Sequence, residues 1–291
     1  MDIEVRHLRV LAALEEERSF TAAAARLGLS QAAVSRAIAA LEHELGTPLV
    51  HRTTRRVEPT AAGAAFAGTS RRVMSELDRA VAELRGERAQ VRLGYSWAAL
   101  GAHTTGVLRA WNRANPDEPL RLSRVNRRDA GLADGRVDLA VIRGDVRVPV
   151  PDVVDEVVGH ERRYVAMAVD HPLADRSRVA LADLTPFVVA VDRYTGTTTT
   201  SLWSDAGLEP PRITDTTDFE DWLDLIAAGD VIGVTAAATT QQYPRPGLVF
   251  AEVADAPPIE VHLAWHRAWR HPATTRLARA IREAYATDPA R

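Results

Sequence analysis

Ser30, Gln31, Ser35 and Arg36 fall within one short stretch, and all four side chains suit contact with a base-paired nucleic acid. A glutamine amide sets a donor beside an acceptor, which matches the major-groove edge of adenine. Serine hydroxyls and arginine guanidiniums reach base edges or phosphate oxygens. Thr21 lies upstream, and Arg52, Thr54, Arg55 and Arg56 lie downstream, with groups of the same kind. Gln31 and Ser35 are the expected base readers. Ser30, Arg36, Arg52, Thr54, Arg55 and Arg56 are expected on phosphates or, from a wing, in the minor groove.

Net charge taken alone argues against such a partner. It is −3 for the chain, and residues 1–58 hold eight arginines against eight acids. The distribution answers this. Glu15, Glu16 and Glu17 cluster at the end of the first predicted helix, while residues 35–57 carry Arg36, Arg52, Arg55 and Arg56 against Glu42 and Glu44. Phosphate binding needs a local basic surface and tolerates an acidic far side.

The elements that must position these residues are legible. Val5, Leu8, Val10, Leu11 and Leu14 have helical spacing. Residues 21–27 read as a second helix ending at Gly28. Ser30 is placed to cap a third, from about Gln31 to Leu45, whose inward face is Val34, Ile38, Leu41 and Leu45. Thr47 to Pro59 reads as a short basic hairpin. Helix, helix, turn, helix, basic hairpin describes a winged helix-turn-helix over residues 1–59. A long helix then fills 60–89. Its Phe66, Ser70, Val73, Leu77, Ala80 and Leu84 alternate by four and three, a heptad seam. The seam suits a dimer helix better than a helix packed only on its own domain.

Ser19-Phe20-Thr21-Ala22-Ala23-Ala24, Leu27, Leu29-Ser30-Gln31-Ala32-Ala33-Val34-Ser35, Ile38, Leu41-Glu42, Leu45-Gly46, Leu49 and Arg52 together resemble the signature of LysR-type transcriptional regulators. Thr60-Ala61-Ala62-Gly63 resembles the start of that family's linker helix. Val50 and Pro59 depart from the usual phenylalanine and leucine. The resemblance implies a C-terminal effector domain over 90–291, built like a type 2 periplasmic binding protein. It would have subdomain I at about 90–162 and 266–291, and subdomain II at about 163–265, with crossovers near Arg162 and His266. Gly135-Arg136-Val137-Asp138-Leu139-Ala140, His171-Pro172-Leu173-Ala174 and Gly229-Asp230-Val231-Ile232-Gly233-Val234 match family segments. The resemblance also implies a homodimer or homotetramer, double-stranded operator DNA as partner, and effector binding that changes the DNA bend. RNA polymerase is a further candidate partner.

Beyond Gln90 the pattern itself changes to strand-like runs at Val91–Gly94, Leu120–Val125, Val137–Ile142, Tyr164–Val169, Phe187–Val191, Val231–Val234 and Ile259–Ala264, with helical stretches between. This reads as an α/β domain with a largely parallel sheet. In such domains ligands bind at strand C-termini, where backbone N–H groups favour anions. By position the effector candidates are Ser96, Trp97, Asn126, Arg143, Thr195, Thr197, Thr217 and Thr235. A small effector with an anionic group fits them. Trp97 could narrow a pocket or stack on a ring.

Other chemistries are weaker. Gly94-Tyr95-Ser96-Trp97-Ala98 faintly resembles a hydrolase nucleophile elbow, but helices and a hairpin precede it rather than strands of one sheet. His262 and His266 are four apart, a chelating spacing only on a helix, and Val261–Trp265 reads as strand. No cofactor, metal or catalytic residue is expected. There is no cysteine, hence no disulfide, and all 36 basic residues are arginine. No run is apolar enough for a membrane span and no leader pattern begins the chain, so the expected location is cytoplasmic.

Overall fold

The computed structural model describes residues 3–52, 57–85, 90–133, 135–144, 152–193 and 196–287. The chain forms two compact units, one of Met1–Ala89 with Ala133–Arg136 and one of Gln90–Leu132 with Val137–Arg291.

The first unit opens with α1 (Val5–Glu17), α2 (Phe20–Leu27) and α3 (Gln31–Leu45). Ser19 and Ser30 act as N-caps: their hydroxyl oxygens accept from the backbone N–H groups of Ala22 (3.3 Å) and Ala33 (3.2 Å). Gly28 ends α2 at φ +66°, a left-handed conformation that costs glycine nothing. Leu11, Leu14, Ala23, Val34, Ile38 and Leu41 are buried and form one core. Each large apolar side chain there contributes about 1.5–3 kcal/mol. Strands β1 (Val50–Arg52) and β2 (Val57–Pro59) then pair antiparallel, with Val50 opposite Pro59. The hairpin tip, with Thr54, Arg55 and Arg56, lies outside the described residues.

Helix α4 (Ala61–Leu84) follows. Thr60 anchors its start: the hydroxyl donates to the Pro48 carbonyl at 2.9 Å and accepts from Gly63 N–H at 2.9 Å. Gly63 lies against Leu49, where a Cβ would stand 1.9 Å from the carbonyl oxygen. The expected seam divides. Phe66 packs against the unit's core, and Ser70 is buried with its hydroxyl donating to the Phe66 carbonyl. Val73, Leu77 and Leu84 are exposed.

The second unit runs β3 (Val91–Tyr95), α5 (Thr104–Ala114), β4 (Leu120–Arg124), β5 (Leu139–Arg143), β6 (Val153–Glu161), β7 (Arg163–Ala168), β8 (Arg178–Val179), α6 (Leu181–Leu184), β9 (Val189–Asp192), α7 (Ser201–Ser204), β10 (Ile213–Thr216), α8 (Phe219–Ala227), β11 (Gly233–Ala236), α9 (Ala237–Gln242), β12 (Leu248–Val253), β13 (Ile259–His266) and α10 (Thr274–Ala286). Two sheets result, with orders β4-β3-β5-β13-β6 and β11-β7-β12-β8. The β9–β10 pair joins the second through a Val189–Ile232 bridge. Val107 and Trp111 of α5 and Leu277, Ile281 and Tyr285 of α10 belong to the core that includes Leu93, Leu139, Val141 and Leu263 of the first sheet.

Two expectations need correction. The sheets are mixed rather than largely parallel: β3 runs parallel to β4 and β5, but β13 is antiparallel to β5 and β6. The chain leaves the first sheet at Arg162, between β6 and β7. It returns between Val253 and Ile259, ahead of the position expected near His266, because β13 already belongs to the first sheet. Apolar alternation through Ile259–Trp265 marks a strand but carries no information on its direction or its sheet. Strands β6, β8, β10 and β12 lie outside the strand-like runs of the sequence. β6 carries Asp155, Glu156, His160 and Glu161, which mask its apolar rhythm.

Candidate nucleic-acid interface and candidate effector cavity

In the first unit, α3 buries Val34, Ile38 and Leu41 and turns its other face outward. Gln31 and Arg36 are exposed, and Ser35 is half-buried one turn beyond Gln31. Thr21 is exposed near the start of α2. Ser30 is exposed, with its oxygen engaged as the α3 cap. Of the two acids that oppose these groups in sequence, Glu42 is occupied by the backbone. The Glu42 carboxylate accepts from Leu49 N–H (2.8 Å) and Val50 N–H (3.2 Å), holding the start of the hairpin. Glu15 pairs with Arg71 at 2.9 Å, and Glu16 and Glu17 pair with Arg26. The acidic cluster is thus neutralised within its own unit, and Arg36 keeps an exposed cation on the recognition face.

In the second unit, the ends of β3 and β5 and the segment after residue 195 enclose a cavity of about 380 Å³. Ser96, Trp97, Arg143 and Thr197 line it together, with Arg128, Arg163, Thr199, Ser201 and Asp205. Ser96 donates its hydroxyl to the Arg127 carbonyl at 2.5 Å. Trp97 is 5% exposed, stacks on Phe219 with centroids 5.6 Å apart, and carries the Arg143 guanidinium over its ring. Its ring is therefore a wall of the cavity rather than a free stacking platform. Asn126 and Thr217 line neither this cavity nor the smaller one beside it. Asn126 donates to Asp218, the N-cap of α8, at 2.8 Å. Thr235 is buried in contact with Thr239 (2.7 Å) and lines only the smaller cavity. Thr195 lies outside the described residues.

Arg143 sits at the centre of a buried network. Its Nε and Nη2 donate to Glu161 at 3.0 and 2.9 Å, and Nη1 donates to the Trp97 carbonyl at 3.3 Å. Tyr285 donates to the same carboxylate at 2.7 Å. Burial opposes both charged forms. The mutual attraction and hydrogen bonds overcome it, so Arg143 is held above and Glu161 below its usual pKa. Burial and the neighbouring Glu161 charge push Tyr285 upward.

Residues 5–64 match the model of the bacterial regulatory helix-turn-helix protein, lysR family, and residues 84–286 match that of the LysR substrate binding domain. This chain belongs to the LysR family. The uncharacterized HTH-type transcriptional regulator YnfL of Escherichia coli (strain K12) is 37% identical over 207 residues, 68% of each chain. The HTH-type transcriptional regulator TfdS of Cupriavidus pinatubonensis is 33% identical over 266 residues, 87% of this chain and 89% of that one. The crystal structure of full-length CbnR complexed with target DNA has a TM-score of 0.69 at 24% identity, covering 97% of this chain and 100% of that one, a likeness of fold.

The LysR assignment settles the class of function: a DNA-binding transcriptional regulator whose second unit binds a small-molecule effector. The hydrolase alternative gains nothing. Among the described residues no histidine lines the Ser96 cavity, and a Cβ at Gly94 would lie 2.2 Å from the Ala130 carbonyl oxygen. Among the described residues no group of histidines and acids could hold a metal ion. His262 bonds Asp155 at 2.7 Å, and His266 and His271 accept from nearby backbone N–H groups. Nor is any described helix long and apolar enough to cross a membrane. Sequence reasoning missed Arg128 and Arg163. Arg163 opens β7 just past the crossover, and a lone arginine at a strand start carries no distinguishing pattern.

Proposed function

We propose that this LysR-family regulator reads its operator through Gln31 and Ser35 and senses an anionic small molecule in the cavity of Ser96, Arg143 and Thr197. The observation that carries the first part is the outward face of α3, with Gln31, Ser35 and Arg36 displayed over a fully apolar inner face. Ser30, Arg36 and Thr21 suit phosphate contacts, and Arg52, Thr54, Arg55 and Arg56 suit the backbone or minor groove. The CbnR structure contains its target DNA, which supports the same use of this fold here. The second part is supported by hydroxyls and guanidiniums gathered around a space of ligand size.

The exposed Val73, Leu77 and Leu84 of α4 support a homodimer through that helix, and a homotetramer is the fuller assembly we infer. Residues 1–59, 60–89 and 90–291 then serve as reader, coupling helix and sensor. The protein acts by binding rather than catalysis, in the cytoplasm where chromosomal DNA lies. RNA polymerase is a further partner of such a regulator. Calorimetry on the full chain with a confirmed effector tests the sensor. Ser96→Ala and Thr197→Ala are each expected to weaken binding, and unchanged affinity in both would remove the cavity from the account.

A further inference from the structure

The connection between α3 and β1 is gripped from two sides. From α3, the Glu42 Oε1 accepts from the backbone N–H groups of Leu49 (2.8 Å) and Val50 (3.2 Å). Bonds to an ionised acceptor are the stronger kind. From the head of α4, the Thr60 hydroxyl donates to the Pro48 carbonyl (2.9 Å) and the Thr60 N–H to the Leu49 carbonyl (2.9 Å). The same hydroxyl accepts from Gly63 N–H. Helix α4 rests so closely on this segment that a Cβ at Gly63 would stand 1.9 Å from the Leu49 oxygen. Residues 48–50 thus tie the recognition helix to the head of α4. A second tie, Arg71 to Glu15 at 2.9 Å, holds α4 about 16 Å farther along. Two fixed points set the direction of a helix axis.

We propose that Glu42, Thr60 and Gly63 are positioning residues for DNA recognition: through residues 48–50 they fix the angle between α3 and α4, and so the half-site spacing that the dimer accepts. This rests on the reading of α4 as the dimer helix. In such a dimer α4 is the arm between the shared seam and each recognition helix. The exposed Val73, Leu77 and Leu84 lie about 15–30 Å from Gly63 along the axis. With an arm of that length, a tilt of about 10° moves each recognition helix by about 3–5 Å. One base pair rises about 3.4 Å and turns about 35°. A loosened grip on residues 48–50 therefore shows as lost discrimination between spacings that differ by one base pair. Base reading on a single half-site is unaffected, because Gln31 and Ser35 lie in the first half of α3, away from Glu42.

The test is competition binding of the full chain on a series of duplexes. Each carries the dyad that the wild type selects, with the spacer unchanged or altered by one or two base pairs, and a further duplex carries a single half-site. The wild type should favour one spacing by about tenfold over its neighbours. Glu42→Ala and Thr60→Val should each cut that preference to about threefold or less, or move the optimum, while single half-site affinity stays within about twofold. Gly63→Ala, which must push α4 off the Leu49 carbonyl, should do the same. Glu42→Gln keeps an accepting oxygen and Thr60→Ser keeps the hydroxyl, so both should return towards the wild-type profile. Thermal melts show which variants stay folded, and the Thr60 pair carries the test if Glu42→Ala is unstable. The inference is overturned if the folded variants keep the wild-type spacing profile, or if they lose single half-site binding as steeply as dyad binding. A wild type that sediments as a monomer and binds every spacing equally removes the α4 dimer reading, and the inference with it.

Discussion

Arg36 and Gln31 share a helix face, yet their chemistry differs in what it can recognise. Arg36 is an exposed cation, and phosphate contact carries no sequence information. Arg36→Ala should weaken binding to all DNA sequences alike and lower the salt slope by about one, read from binding isotherms at several salt concentrations. Glu161 makes a second prediction at this scale. Glu161→Gln leaves Arg143 buried without its counter-charge, which should cost about 3–5 kcal/mol in a chemical denaturation curve. The pH dependence has a definite sign. The folded carboxyl is held below the usual glutamate range, so its stabilisation is present at neutral pH and is lost as pH falls through that lowered pKa. Denaturation curves from pH 7 downward should show this loss in the wild type and lack it in Glu161→Gln. Arg143 could be read from the sequence as the residue that follows a strand. Glu161 and Tyr285 could not, because only tertiary pairing brings β6 and α10 to it.

At the element scale, α4 serves two surfaces in succession. Its first half is bound to its own unit through Phe66, Ala67, Ser70 and the Arg71–Glu15 pair. Its second half presents Val73, Leu77 and Leu84 to solvent. Leu77→Asp should therefore halve the mass seen by analytical ultracentrifugation and leave the thermal melt of the helix-turn-helix core nearly unchanged. A mass equal to wild type would place the dimer contact elsewhere. The heptad count alone joined Phe66 and Ser70 to the exposed positions, since a four-three rhythm reports one stripe and cannot say where along it the partner changes. The N-terminal helices were legible because capping serines, Gly28 and apolar spacing agree locally. The mixed sheets were less so. β13 pairs with β5 and β6 from far along the chain, and period-two alternation is the same in either direction.

The whole molecule is a DNA-binding regulator with a helix-turn-helix in one unit and an effector-binding domain in the other. The family was carried by an ungapped pattern from Ser19 to Arg52, whose apolar positions pack into the core of the first unit. The sensor was legible as a class of fold, and less so as a site, since loops from both sheets supply its lining. The direct measurement is selection of binding sites from a randomised duplex pool with the wild type and with Gln31→Ala. The wild type should enrich one dyad sequence with half-sites about 34 Å apart, or a multiple of that spacing. Gln31→Ala should enrich the same dyad with one position per half-site relaxed by about 1–3 kcal/mol. Failure of the wild type to enrich any sequence, or an unaltered profile from Gln31→Ala, would contradict the account.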